Sequence, residues 1–528
     1  MGEPFYITTA ISYPNGRPHI GHAYEAIATD AIARFQRLRG RDVFFLTGTD
    51  EHGLKMAQAA RERTIPPAEF ADEMSSTFKA MDDALNISYD RFIRTTEPAH
   101  HKASRAIWQA MAARGDIYLG RYEGWYSVRD EAYYDESELV VADSGEKLSP
   151  QGTPVDWTVE ESWFFRLSAY QDRLLAFYAA QPDFIRPETR RNEVLRFVEG
   201  GLNDLSISRA SFDWGVKVPG SEDHVMYVWL DALTNYITGV GYPDDTESYR
   251  KFWPADLHII GKDVVRFHAV YWPAFLMSAG IPLPKQVFGH GFLLHRGEKM
   301  SKSLGNVVDP LELIEAFGVD QLRYFLLREV PFGQDGTYSA EAIVTRTNAD
   351  LANSFGNLAQ RTLSFIAKNF EGRLPLPLSE NMAEADKELF GRLELNLGQF
   401  LIEFDLLWID RAILNWTASV YDANAYIDAQ APWTLRKTDP ERMNEVLATL
   451  YVVITNLALA IQPIAPSSAS RLLDQLGIPQ GKRCFPVGED GLWCVWNDLS
   501  WYHRLANSGF TLAPPTPIFP RLELPADA

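Results

Sequence analysis

Cysteine is nearly missing from this chain: Cys484 and Cys494 are the only two among 528 residues. That excludes a disulfide scaffold. It also excludes a zinc site built from paired CxxC knuckles, because no second pair accompanies them. So little cysteine suits a reducing compartment, and a cytoplasmic setting is expected. Long apolar runs are missing too. The longest, residues 446–461, is interrupted by Thr449, Thr455 and Asn456 and falls short of the ~20 residues that cross a bilayer. It predicts a buried helix and no membrane partner. The opening Met1-Gly2-Glu3-Pro4 lacks the basic and apolar segments of a secretory leader, and Tyr6 stands where a myristoylation signal has Ser or Thr. Neither export nor lipid anchoring is expected. Positive charge is the third deficit, with 50 Lys and Arg against 70 Asp and Glu, a net of −20. Such a chain does not coat nucleic acid through phosphate neutralisation alone, although a local basic face stays open to it.

What remains is an ordinary globular mixture, 46% hydrophobic and 23% charged, long enough for about three domains. Phe5-Tyr6-Ile7-Thr8-Thr9-Ala10-Ile11 reads as a buried strand, and Pro14-Asn15-Gly16-Arg17-Pro18 follows as a loop. Tyr24, Ile27, Ala28, Ala31, Ile32, Phe35 and Leu38 then recur at steps of three and four up to Gly40, the pattern of an amphipathic helix with a glycine stop. Val43-Phe44-Phe45-Leu46 supplies a second strand. Strand, helix and strand at this spacing make a βαβ crossover, so a parallel sheet is expected, with ligands at the carboxyl ends of its strands.

From residue 121 to 209 the texture turns aromatic and acidic, with a polar hairpin near Asp143-Ser144-Gly145, which predicts an inserted subdomain. Sheet-like segments resume at Val225-Met226-Tyr227-Val228-Trp229, Leu257-His258-Ile259-Ile260 and Gln286-Val287-Phe288 and are expected to complete the parallel sheet. Beyond Ala340, leucine and alanine periodicity predicts a helical bundle. The tail around Pro514-Pro515-Thr516-Pro517 is expected to run extended across the surface.

Two stretches carry chemistry. His19-Ile20-Gly21-His22 opens the first helix, where backbone amides favour anions, glycine permits close approach, and imidazoles can donate to phosphate oxygens. Lys299-Met300-Ser301-Lys302-Ser303, after Gly297 and before Leu304-Gly305-Asn306, offers ammonium and hydroxyl groups suited to charge developing on a triphosphate. Either alone has a bland explanation, as two satisfied structural histidines or as a solvated basic turn.

Together, in this order on a split parallel sheet, they resemble the two signature motifs of class I aminoacyl-tRNA synthetases. The segments Phe44-Phe45-Leu46-Thr47-Gly48-Thr49-Asp50-Glu51-His52-Gly53, Val228-Trp229-Leu230-Asp231-Ala232 and Ile260-Gly261-Lys262-Asp263 are similar to the methionyl-tRNA synthetase family in particular, and the resemblance reaches Pro517-Ile518-Phe519-Pro520-Arg521. It implies an α/β fold: a split Rossmann-like parallel sheet with an inserted connective subdomain, followed by an all-α anticodon-binding bundle. The catalytic domain is expected at 1–118 and 216–295 and the insertion at 119–215. The mobile catalytic loop and stem-contact region follow at 296–345, and the helical domain with its tail at 346–528.

The resemblance also implies roles. His19, His22, Lys299 and Lys302 are the expected catalytic residues. His19, Gly21, His22, Glu25, Asp263 and Lys302 are expected around ATP. Asp50 is expected to hold the substrate ammonium group, with Ile11, Tyr13, Trp229, Ala232, Tyr236, Val264 and His268 forming the side-chain pocket for methionine. Polarizable aromatic walls suit a thioether, which is a weak acceptor. Asn357 and Arg361, four apart on one helical face, and Trp433 are expected to read anticodon bases.

The expected substrates are L-methionine, ATP with Mg2+, and initiator and elongator tRNA(Met). Many relatives carry a cysteine-ligated zinc knuckle in the insertion, and 121–209 contains no cysteine, so the zinc-free form and no structural metal are expected. No appended dimerisation module follows the helical domain, which implies a monomer. The rival readings are another class I synthetase, a tRNA-independent nucleotidyltransferase, and a catalytically silent RNA-binding protein. In the insertion, Arg186, Arg190, Arg191 and Arg196 form a basic cluster with Glu188 and Glu193 beside it.

Overall fold

Six runs rich in β-branched and aromatic residues pair side by side in the computed structural model, which describes residues 2–130, 132–142, 144–295, 298–299, 307–375, 382–485 and 500–524. They are β1 (Pro4–Thr8), β2 (Asp42–Thr49), β3 (Arg91–Arg94), β4 (Ile185–Arg186), β5 (Leu257–Gly261) and β6 (Val287–His290). The order across the sheet is β3-β2-β1-β5-β6-β4, and every pairing is parallel. Parallel strands are covered on both faces, and accordingly Tyr6, Ile7, Phe45, Leu46, Ile259 and Ile260 are all fully buried. Connections leave β1 toward β2 on one side and reach β5 and β6 on the other. A crevice therefore opens between β1 and β5 at the carboxyl edge.

The insertion is anchored rather than hung from the sheet. Its long antiparallel pair, Ile117–Ser127 with Asp156–Phe165, stands apart, but β4 and its flanking helices Gln171–Ala180 and Glu188–Glu199 return to the parallel sheet beside β6. A hairpin pairs Val140–Val141 with Lys147–Leu148 around the polar turn. Near the base of that hairpin the Asp130 carboxylate accepts the hydroxyls of Ser149 at 2.5 Å, Thr153 at 2.6 Å and Tyr134 at 3.0 Å. One anion gathering three hydroxyls cross-links this part of the insertion through charge-assisted hydrogen bonds.

One expectation is corrected. Val225-Met226-Tyr227-Val228-Trp229 does not extend the parallel sheet: the strand Ser221–Met226 belongs to a separate antiparallel sheet, and Val228–Thr238 is a helix carrying Trp229. A short apolar run cannot by itself distinguish a buried helix from a strand. Here every residue of Val228–Thr238 except Trp229 is buried.

The carboxy-terminal helices pack around Pro440–Ile461, long and apolar enough to span a membrane by length and composition, yet buried continuously from Val446 to Ile461. The bundle is bolted to the sheet domain by Arg323, which is completely buried. Its Nη2 donates to Asp30 Oδ2 at 2.6 Å and to the Pro463 carbonyl, its Nε to the Ile464 carbonyl and its Nη1 to the Leu85 carbonyl. Burial works to raise the pKa of Asp30, but Arg323 and Arg34 outweigh it and hold the carboxyl below its ordinary value. Removing one partner leaves a buried charge uncompensated. Arg323→Ala is expected to cost about 3–5 kcal/mol, read as a lowered urea midpoint, with loss of contact between the two domains.

Candidate active site

The loops that leave β1, β2 and β5 converge on one cavity of about 460 Å³. The helix Ile20–Leu38 begins at the β1 loop, and His19 is its amino-terminal cap. His19 Nδ1 accepts the Gly21 amide at 3.1 Å, and His22 Nδ1 accepts the His19 amide at 3.1 Å. The two rings stack with centroids 3.8 Å apart. A nitrogen that accepts an N–H carries no proton, so each neutral ring holds its hydrogen on Nε2. Nδ1 of each ring is thus taken up at the helix start, and Nε2 carries the ring hydrogen. Gly21 is required for this fold-over, since a Cβ there would lie 2.9 Å from His19 Cε1. His22 and Gly21 line the cavity, and His19 adjoins them through its ring stacked on His22.

Glu25, one turn further, also lines the cavity and pairs through Oε2 with His290 Nε2 at 2.8 Å, while His290 Nδ1 donates to the Gly291 carbonyl. Burial opposes a charge on His290, but the Glu25 carboxylate prevails and raises its pKa. His290, at the end of β6, was not anticipated from the sequence. Asp263, after β5, faces the same space.

The other half of the cavity is aromatic. Trp229 lies flat on Phe267 at 3.8 Å, and Tyr236 donates its hydroxyl to His268 Nε2 at 2.7 Å while His268 Nδ1 donates to the Val264 carbonyl. Burial lowers the His268 pKa to about 4, so the ring is neutral and the wall uncharged. An unfolded histidine titrates near 6.5, so as pH falls the unfolded chain takes up the proton first. The resulting stability is present above pH 6.5 and lost between there and about pH 4, by up to about 3 kcal/mol. Urea titrations at stepped pH are expected to show that slope in the parent and a shallower one in His268→Gln.

Ile11, Tyr13, Asp50, Ala232 and Val264 line the cavity as well, so all eight residues expected around methionine face it. Asp50 sits at the carboxyl end of β2, 7% exposed, its amide donating to the Ser12 carbonyl. Tyr13 donates its hydroxyl to the His52 carbonyl at 2.8 Å. The fully buried Asp231 joins these parts: its carboxylate pairs with His52 Nδ1 at 2.6 Å and His100 Nε2 at 2.7 Å. Burial would raise its pKa, but the two imidazoles hold it well below the carboxylate range. The helix of Trp229 is thereby clamped to the loop of Asp50. Sequence reasoning missed this clamp, and it missed Lys55, Arg129, Gln151 and Thr153 in the cavity wall. Three of these come from the insertion, and only folding brings them to the site.

Lys299 follows β6 in a two-residue strand paired with Leu293–His295. Lys302 lies outside the described residues. Val308, six positions after Lys302 in the chain, accepts the Ile20 amide at 3.0 Å through its carbonyl. Among the described residues, no group of three or more His, Cys, Asp or Glu gathers as a metal site.

In the helical domain, Arg361 stands over the Trp433 ring at 5.2 Å and donates to Asp428 at 2.8 Å. Trp433 is 44% exposed, and Asn357 is exposed one turn before Arg361. The helix of Asn357 is entered through a π-helical turn, Thr347–Gly356, a feature frequent at functional positions.

Residues 5–363 match the family model described as class I tRNA synthetases (M), and residues 376–490 match the anticodon-binding domain of methionyl tRNA ligase. The chain is 59% identical to the methionine-tRNA ligase of Brucella suis over 98% of both chains, and 58% identical to that of Mycobacterium bovis over 99% of both. It is similar to the structure of Mycobacterium tuberculosis methionyl-tRNA synthetase in complex with methionyl-adenylate, with a TM-score of 0.91 and 56% identity over 98% of this chain and 100% of that one.

Proposed function

The chain belongs to the methionyl-tRNA synthetases of class I, and from that premise we propose that its 460 Å³ cavity holds methionine in the aromatic half and ATP in the histidine half. The protein activates L-methionine with ATP and charges tRNA. In the first step a methionine carboxylate oxygen bonds to the α-phosphorus, and the bond to the β-phosphate bridge breaks, releasing pyrophosphate. In the second a tRNA ribose hydroxyl bonds to the carbonyl carbon, the bond to phosphate breaks, and AMP departs with the hydroxyl proton ending on phosphate or in solvent. Neither step needs a protein nucleophile. Positioning and charge stabilisation supply the acceleration.

Asp50 takes the ammonium group, Trp229, Tyr236 and His268 enclose the thioether, and Gly21, Glu25 and Asp263 hold the nucleotide. His19 and His22 donate from Nε2, and Lys299 and Lys302 close over the phosphates. The shared cavity carries this reading, because Gly21, His22, Glu25 and Asp263 line it together with Asp50, Trp229, Tyr236 and His268. Mg2+ reaches the site on the triphosphate; it keeps most of its ligands from phosphate and water, which fits the dispersed carboxylates here. Asn357, Arg361 and Trp433 read the anticodon of initiator and elongator tRNA(Met). A monomer acting in the cytoplasm completes the reading, in keeping with the scarcity of cysteine.

The test is amino-acid-dependent ATP-pyrophosphate exchange against all twenty amino acids. Methionine alone is expected to support full exchange, and equal exchange with leucine or isoleucine would overturn the assignment. Trp433→Ala should leave exchange intact and weaken charging at least tenfold, about the value of one base-aromatic stack; equal damage to both would make Trp433 a packing residue.

A further inference from the structure

Adjoining the histidine half of the substrate cavity is a much smaller pocket of about 10 Å³. Ala10, Ser12, His22 and Glu25 line both, so the two share a wall. Asp82, on the helix Pro67–Ala84, lines the small pocket only. It is 4% exposed, and its Oδ1 is buried without a hydrogen-bond partner. A buried polar atom left unpaired is rare enough to need a reason. Burial pushes the pKa of Asp82 up to about 8, and the charges of Asp83, Asp30 and Glu25 push the same way, against Lys79. At neutral pH the group is therefore an uncharged acid with an O–H to donate. The fold gains nothing from it. An unfolded Asp ionises near pH 3.9, so from there to about pH 8 the folded chain keeps a proton that the unfolded chain has released, and stability falls as pH rises. A carboxyl that weakens the fold beside a binding cavity is a candidate for function.

The neighbours indicate which function. His290 holds one oxygen of the Glu25 carboxylate at 2.8 Å. Phe78, one turn before Asp82 on the same helical face, meets the His22 ring edge to face with centroids 5.0 Å apart. Thr9 and Thr47, whose hydroxyls are bonded at 2.8 Å, add polar groups to the lining. About 10 Å³ is room for one water, and these groups supply the two to four polar partners that a bound water needs. We propose that Asp82 is a positioning residue for the activation step: its acid O–H donates, through one water seated in this pocket, to the Glu25 carboxylate. Glu25, and His22 beside it, are thereby held in the arrangement that receives the triphosphate. The charged groups acting on Asp82 are Asp83 and Lys79 on its own helix and, on Ile20–Leu38, Glu25 and Asp30, the last paired with Arg34 and Arg323. β1 and β2 face it with the neutral Thr9 and Thr47. The helix Pro310–Phe317, packed on the same element, keeps Glu312 and Glu315 exposed, and the helix Leu54–Glu62 meets the opposite end at Phe70 and Met74. Ionising Asp82 sets a second carboxylate beside Glu25, and two adjacent negative charges oppose a triphosphate. The inference rests on the assignment of ATP to the histidine half.

The test is methionine-dependent ATP-pyrophosphate exchange by the full-length parent, Asp82→Ala and Asp82→Asn at stepped pH. At pH 7, Asp82→Ala is expected to raise the KM for ATP about tenfold, the value of one hydrogen bond to a charged group, while the KM for methionine stays within about twofold of the parent. Asp82→Asn keeps an N–H donor without the ionisable acid and should restore the KM for ATP. In the parent, kcat/KM for ATP should fall about tenfold between pH 7 and 9 as the acid of the free enzyme ionises, and Asp82→Asn should remove that fall. An equal alkaline fall in the parent and Asp82→Asn overturns the proposal. So does an unchanged KM for ATP in Asp82→Ala, or an equal rise in both KM values, which would make Asp82 a packing residue. If Asp82→Ala does not fold, the pH profile of Asp82→Asn decides alone. A parent protein that fails to exchange with methionine would instead reject the underlying assignment.

Discussion

His22→Ala is expected to lower methionine-dependent ATP-pyrophosphate exchange by about 10²–10³-fold, the usual cost of deleting one donor aimed at developing charge. The companion variant at His19 makes the argument sharper, because His19 does two jobs through two nitrogens. Its Nδ1 caps the helix Ile20–Leu38 by accepting the Gly21 amide, and its Nε2–H is the donor assigned to phosphate. Asparagine caps helices well, whereas alanine in place of a good cap costs about 1 kcal/mol. His19→Asn should therefore keep the parental melting temperature while losing exchange, and His19→Ala should lose both. Full activity in His19→Asn would reduce the ring to a cap. Measuring the KM for ATP alongside kcat shows whether the loss falls on binding or on the transition state.

Asp50→Asn carries the second large effect. The substitution keeps the shape and the backbone bond from Asp50 to Ser12 but removes the charge that faces the substrate ammonium. Breaking a desolvated charge pair typically costs 2–5 kcal/mol, so kcat/KM for methionine should fall at least about 30-fold. The KM for ATP should change far less, since the nucleotide occupies the other half of the cavity. The clamp beneath predicts a graded neighbour: Asp231→Asn weakens the anchoring of His52 and His100 and should raise the KM for methionine without abolishing exchange. An unaltered methionine KM in Asp50→Asn would move the ammonium site elsewhere.

Much of this is legible in the residues alone. The period-3.6 run after His19-Ile20-Gly21-His22 and the apolar runs around it announced the βαβ unit, and β1, the helix Ile20–Leu38 and β2 lie where that pattern put them. The helical bundle was equally plain from leucine and alanine spacing. Val228-Trp229 misled, because a five-residue apolar run holds no period long enough to separate strand from helix. Isolated polar residues were harder still. His290, Asp231 and Arg323 matter through partners 265, 131 or more, and 293 positions away, and no local pattern encodes such a distance. The insertion's share of the cavity wall and the return of β4 to the sheet were hidden for the same reason.

The most direct measurement is a crystal structure of this protein with a non-hydrolysable methionyl-adenylate analogue. The thioether is expected between Trp229, Tyr236 and His268, the ammonium group beside Asp50, and the phosphate within hydrogen-bonding reach of His22 Nε2. Density for the analogue in any other cavity, or with its ends exchanged between the aromatic and histidine halves, would contradict the account.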